Sequence, residues 1–208
     1  MKTILCFGDS NTWGYSPSEP RRYTEQERWP TLLQARLPSG YRIIEEGQNG
    51  RNTVLDDPFD PGKKGLDYLL PCLETHHPDY VIILLGTNDL KSRFNLTASD
   101  ISKGAARLVQ VTQSFKHAYM EKAPEVLLIA PPHVYEADPN KEGFTGAEEK
   151  SKQLGHFYRL RANELGCHFF DASSTVTPCE KEGLHWHVDQ HIKLADKLAQ
   201  LIPEIFAQ

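Results

Sequence analysis

The sequence predicts an α/β protein with a five-stranded parallel sheet and helices on both faces. Three observations predict it. Apolar runs of strand length alternate with longer segments of helical period. Those runs show little polar alternation, as expected of strands covered on both sides. Polar turns follow several of them, where an open α/β sheet gathers its ligands.

The candidate strands are Thr3–Phe7, Arg42–Glu46, Tyr80–Leu85, Val126–Ala130 and His168–Asp171, each rich in Ile, Val, Leu or Phe. Helical period marks about Trp29–Leu37, Gly65–Thr75, Ser99–Lys122, Ala147–Leu165 and Asp189–Phe206. Apolar side chains recur at three- and four-residue steps through Ile101, Ala105, Leu108, Val111 and Phe115, and again through Val188, Ile192, Ala195, Leu198 and Ile202. Ser99 or Thr97 can cap the third helix, Gly166 can end the fourth, and Pro124 stops the chain before the next strand. Five strands alternating with five helices call for right-handed crossovers. Two loops, Ser16–Arg28 and Pro131–Gly146, are long enough to shape a site or an interface.

With 208 residues, the chain reads as one domain spanning 1–208, large enough to bury a core without staples. A net charge of −5 and the lack of any basic tract argue against nucleic acid as a partner. The apolar piece at the N-terminus is too short for a signal-peptide core, and Tyr80–Leu85 is far too short for a bilayer. Cys6, Cys72, Cys167 and Cys179 are widely spaced and form no C-x-x-C pair. The expectation is a cytoplasmic protein with reduced thiols and no membrane partner.

Four segments carry chemistry: Gly8-Asp9-Ser10-Asn11, Gly47-Gln48-Asn49-Gly50, Gly86-Thr87-Asn88-Asp89 and Glu182-Gly183-Leu184-His185. A serine hydroxyl becomes a nucleophile only when a base takes its proton and the oxyanion is stabilised. Ser10 offers the hydroxyl and His185 the base, with Glu182 three residues upstream to hold the imidazole tautomer. The Ser10 and Gly50 N–H groups and the Asn88 carboxamide can donate to an oxyanion. Seen singly, each reads more readily as a cap, a turn glycine, an Asx-turn or a loop histidine. Their common position after successive elements is what favours chemistry. His187 and His191 stand four apart, but no further ligand completes a metal set, so neither metal nor cofactor is expected.

Read as blocks, Gly8-Asp9-Ser10-Asn11-Thr12-Trp13-Gly14, Glu45-Glu46-Gly47-Gln48-Asn49-Gly50-Arg51-Asn52-Thr53 and Leu85-Gly86-Thr87-Asn88-Asp89 resemble the SGNH, or GDSL-type, serine hydrolases. Asp56-Asp57-Pro58, Leu69-Leu70-Pro71-Cys72-Leu73 and Phe169-Phe170-Asp171-Ala172 resemble its aryl-esterase and acyltransferase subgroup. The resemblance implies a flavodoxin-like three-layer α/β/α sandwich. It also implies Ser10 as nucleophile, His185 as base, and Ser10, Gly50 and Asn88 as the oxyanion hole. The family's last block is Asp-x-x-His, whereas position 182 here is glutamate. The carboxylate must therefore fold back or the loop must shift; Asp189, otherwise a helix N-cap, and Asp171, otherwise a strand-end residue, are the alternative acids.

The expected activity is hydrolysis of short-chain aryl or small alkyl esters through an acyl-enzyme, with acyl transfer to alcohols as an extension. A carbohydrate acetylesterase is the alternative, as is a catalytically weak ester- or sugar-binding member. The partner is a small-molecule ester. The resemblance also suggests a homo-oligomer, with Pro131–Gly146 as a contact. Trp13 and Pro132 are candidate pocket walls, Trp13 being equally a packing residue. Asp9 is expected to order its turn, and Arg51 to pair with Asp9 or Asp89.

Overall fold

In the computed structural model, residues 1–118, 122–137 and 143–206 are described. Five strands, β1 (Lys2–Gly8), β2 (Tyr41–Gly47), β3 (Tyr80–Leu84), β4 (Glu125–Ala130) and β5 (His168–Asp171), form one all-parallel sheet. Their order is β2-β1-β3-β4-β5. The helices are α1 (Ser10–Trp13), α2 (Trp29–Arg36), α3 (Gly65–His76), α4 (Ala98–Ser114), α5 (Ala147–Leu165) and α6 (Val188–Ile205).

Alternate strand residues feed two cores, because successive side chains point to opposite faces of a sheet. Leu5, Phe7, Val81, Ile83 and Leu128 pack with Leu69 and Leu73 of α3, Ile101 and Leu108 of α4, and Leu154 and Tyr158 of α5. Ile4, Cys6, Ile82, Leu84, Leu127 and Ile129 pack with Trp29 and Leu33 of α2 and with Leu194, Leu198 and Ile202 of α6. The result is the three-layer α/β/α sandwich expected.

Register decides where the motifs sit. Gly8 pairs with both Gly47 and Leu84, so β1, β2 and β3 end at the same level. The chain leaves β1 towards β2 on one side and continues to β3 on the other, which makes β1 the point where the order reverses. Ligands bind at the carboxyl edge of such a point.

Several boundaries differ from the sequence expectation. The third predicted helix, expected to reach Lys122, ends at Ser114 because Phe115 turns extended (φ −68°, ψ 124°) and is buried; residues 119–121 of that expectation lie outside the described residues. Thr97, not Ser99, caps α4, in a capping box with Asp100. Gly166 ends α5 as expected. The cap of α6 is His187; Asp189 falls in the first turn, where it accepts from Gln190 Nε2 and Lys193 Nζ. Of the loop Pro131–Gly146, residues 138–142, including Pro139, lie outside the described residues.

All four cysteines are unpaired. Among the described residues no helix is long and apolar enough to cross a membrane.

Candidate active site

Ser10 opens α1 directly after β1. Asp9, the cap of that single turn, accepts from the Asn11 N–H at 2.9 Å and is buried. As the first residue of a helix, Ser10 has an N–H with no intrahelical acceptor. Burial raises the Asp9 carboxyl to about 6, opposed by the Asn11 N–H and by the nearby His185 and Arg51.

His185 reaches Ser10 from the other end of the chain. Its Nε2 lies 3.0 Å from Ser10 Oγ, and its Nδ1 lies 2.8 and 2.9 Å from the two Glu182 carboxylate oxygens. With Nδ1–H donated to Glu182, Nε2 is the acceptor and the Ser10 hydroxyl the donor. The Glu182 carboxylate also accepts from the backbone N–H of His185. This fold-back absorbs the extra methylene of glutamate. It depends on Gly183, whose φ of +77° suits glycine and whose Cβ, if present, would stand 1.9 Å from the Tyr135 carbonyl oxygen. Asp171 serves its own turn, accepting from Ser173, and Asp189 is occupied on α6; neither takes the place of Glu182.

Gly50 and Asn88 face Ser10 across a cavity of about 330 Å³. Asn88, in a short 3-10 turn after β3, uses one amide hydrogen on the Arg51 carbonyl at 3.2 Å, and its second remains to donate. Asp89 next to it is buried and raised to about 6, chiefly by desolvation, while Thr53 donates to it from both N–H and hydroxyl. This bond ties the turn after β3 to the loop after β2, and so Asn88 to Gly50.

The expected partners of Arg51 are a correction. Its guanidinium pairs with neither Asp9 nor Asp89. It donates to the Gly8 carbonyl at 2.9 Å, to the Glu46 carbonyl and to Gln48 Oε1, between the rings of Phe7 and Tyr68. It thereby pins the carboxyl ends of β1 and β2 together.

The cavity walls are a second correction. Trp13 and Pro132 do not line the cavity; Tyr15 and Phe144 do, with Leu184, Thr87 and Asn49. Trp13 turns towards β2, where Arg22 stacks on its ring at 5.2 Å and donates to its carbonyl. The chain then reverses at Gly14, and the Tyr15 ring comes to lie over the His185 imidazole, centroids 4.3 Å apart. Pro132 is buried, and the segment after β4 contributes through its backbone, Tyr135 N–H donating to the Gly183 carbonyl. Phe144 is held by Ser92 N–H on the Gly143 carbonyl; Lys91 and Arg93, flanking Ser92, both pair with buried Asp57. Nothing local in the sequence marks Tyr15 or Phe144, since a wall residue is chosen by the path of its loop.

Among the described residues no group of three His, Cys, Asp or Glu side chains could hold a metal ion. His191 is fully buried: its Nδ1 accepts from the Trp29 N–H at 3.2 Å, and burial lowers its pKa to about 3.

The whole arrangement can move a proton from a serine hydroxyl to an imidazole with a carboxylate behind it, beside donors for an oxyanion. Comparisons with known proteins agree. The model of the GDSL-like Lipase/Acylhydrolase family matches residues 6–196. The native aryl esterase of M. smegmatis superposes with a TM-score of 0.94 at 36% identity, covering 99% of this chain and 100% of that one. Est24, a carbohydrate acetylesterase from Sinorhizobium meliloti, does so with a TM-score of 0.93 at 38% identity, over 99% and 100%. A carbohydrate acetylesterase family member from the same organism gives 0.94 at 34% identity, over the whole of both chains. No curated protein matches the sequence. The chain belongs to the GDSL-like lipase/acylhydrolase family and is a carboxylic ester hydrolase.

Proposed function

We propose that the chain hydrolyses small esters with short acyl groups through an acyl-enzyme on Ser10. The observation that carries this reading is the unbroken relay from Ser10 Oγ through His185 to Glu182, opening into the cavity between Tyr15 and Phe144. Ser10 Oγ attacks the ester carbonyl as its proton passes to His185 Nε2. The Ser10 and Gly50 N–H groups and Asn88 Nδ2 hold the oxyanion, and Glu182 stabilises the imidazolium. His185 then protonates the departing alkoxide. Water attacks the acyl-serine with His185 again as base, and the acid leaves. An alcohol entering in place of water yields a new ester by the same step.

Cavity size supports a small substrate, since about 330 Å³ is near the lower end of the ~300–1,000 Å³ of ligand pockets. The Tyr15 and Phe144 rings suit an aryl or small alkyl ester. Acetylated carbohydrate is the second reading, favoured by the polar Asn49 and Thr87 in the lining and by the similarity to Est24.

A series of p-nitrophenyl esters from acetate to octanoate tests the first reading. We expect kcat/KM to peak at the shortest members and fall by about tenfold or more at octanoate. A fluorophosphonate probe should label the wild-type chain and not Ser10→Ala. A wild-type protein that neither turns over the acetate nor takes the label refutes the acyl-enzyme. Faster release of acetate from an acetylated sugar than from phenyl acetate selects the second reading.

A further inference from the structure

The loop carrying the base is anchored one carbonyl at a time. Gly183 O accepts from Tyr135 N–H at 3.0 Å, Leu184 O from Asn11 Nδ2 at 3.3 Å, His185 O from Cys179 N–H at 2.7 Å and Trp186 O from the Tyr23 hydroxyl at 3.2 Å. Two of those donors are backbone groups, available whatever the residue. Asn11 and Tyr23 are side chains, and only Asn11 adjoins Ser10.

We propose that Asn11 is a positioning residue that keeps His185 in place while Ser10 is acylated. This rests on the reading of Ser10 and His185 as the reacting pair. In the free enzyme the nucleophile turn is joined to the base loop by the bond of Ser10 Oγ to His185 Nε2 at 3.0 Å and by that of Asn11 Nδ2 to Leu184 O. The first bond cannot survive acylation, because Oγ then carries the acyl carbon and has no proton to share. The second is untouched by the chemistry. Asn11 is itself held, buried and with its N–H on Asp9 Oδ1.

Deacylation is the step that needs this second bond. A water O–H bond breaks, its proton passes to His185 Nε2, and the oxygen bonds to the acyl carbon. The carbon–Oγ bond then breaks, and His185 returns the proton to Oγ. From acylation until that return, no bond from Ser10 orients the imidazole. Misplacement by about 1 Å costs on the order of 10² in rate; Glu182 holds the ring within its own loop, and the Asn11 bond is the tie left between that loop and the acylated turn. Acylation starts from the doubly tied state and depends on Asn11 less.

Asn11→Leu removes the donor at similar volume, and pre-steady-state kinetics with p-nitrophenyl acetate read the two steps apart. We expect kcat to fall about tenfold while kcat/KM, which reports acylation, falls less than about threefold. A burst of nitrophenolate close to one equivalent should precede the slowed steady state. Asn11→Ala should give the same signature, and serves if leucine disturbs folding. A distortion of the fold as a whole would lower kcat and kcat/KM alike with no larger burst; that pattern, or an unchanged kcat in both variants, overturns the proposal. If the wild-type chain itself releases no nitrophenolate and takes no fluorophosphonate, the acyl-enzyme reading fails first and this proposal with it.

Discussion

Glu182 grips His185 twice, at the ring Nδ1 and at the backbone N–H, so one carboxylate both sets the imidazole tautomer and closes the turn that presents it. The glutamate reaches both atoms from three residues upstream by folding back on its own turn. The glutamate is therefore a fitted part of this loop, working with the left-handed turn at Gly183.

Removing the charge while keeping the shape should be costly. We expect Glu182→Gln to lower kcat by up to about 10⁴, the loss when a triad acid becomes an amide. Glu182→Asp, one methylene shorter, should lose about tenfold through a less well held ring. Steady-state kinetics on folded variants decide; an unchanged kcat in Glu182→Gln would exclude this residue as the acid.

Asn88 should show its effect in the transition state. Asn88→Ala is expected to reduce kcat by about 10²–10³ with KM little changed, the cost of one oxyanion donor. The bond to the Arg51 carbonyl goes as well, so melting should show a separate stability loss of about 1 kcal/mol. A variant that loses stability but keeps kcat would assign Asn88 to structure alone.

Asp9 should make the fold more stable in acid than at neutrality. Its carboxyl is raised from 3.8 to about 6 by burial, so the folded chain holds that proton more tightly than the unfolded chain. Its stabilising contribution is complete below 3.8 and is lost as pH rises through 6. Asp9→Asn cannot ionise and keeps an oxygen for the Asn11 N–H. Its stability relative to wild type should rise by roughly 2–3 kcal/mol between about pH 4 and about pH 7.5. Urea midpoints of both proteins at the two pH values measure this double difference, and a flat result would refute it.

His191 should act in the opposite sense. Held neutral by burial, its pKa is lowered from 6.5 to about 3, so the unfolded chain binds the proton first. Its contribution is intact above 6.5 and is lost as pH falls towards 3. His191→Asn can still accept from the Trp29 N–H. The advantage of wild type over this variant should shrink by about 2 kcal/mol from about pH 7.5 to about pH 5. Chemical denaturation at both pH values provides the check.

Much of this molecule was legible along the chain. Ile4-Leu5-Cys6-Phe7 and Tyr80–Leu85 read as doubly covered strands and are buried strands, the second ending one residue earlier at Leu84. Ala147–Leu165 ends at Gly166 as read. Strand and helix patterns are local properties of composition and period, so they survive without knowledge of the fold. The helix expected to reach Lys122 stops at Ser114, where Phe115 turns extended and is buried in the core, a contact with distant segments that local periodicity does not encode.

Residue by residue, the sequence by itself determined the layered α/β class and which side chains with reactive chemistry follow which strands. Only the tertiary structure decided the strand order, the 3.0 Å meeting of Ser10 with His185, the choice of Tyr15 and Phe144 over Trp13 and Pro132 as walls, and the diversion of Arg51 to backbone carbonyls. The physical reason is range. Propensity and periodicity act over a few residues, whereas the direction of a side chain on a loop is set by bonds to segments far away in the chain, such as Asn11 to Leu184 and Tyr23 to Trp186.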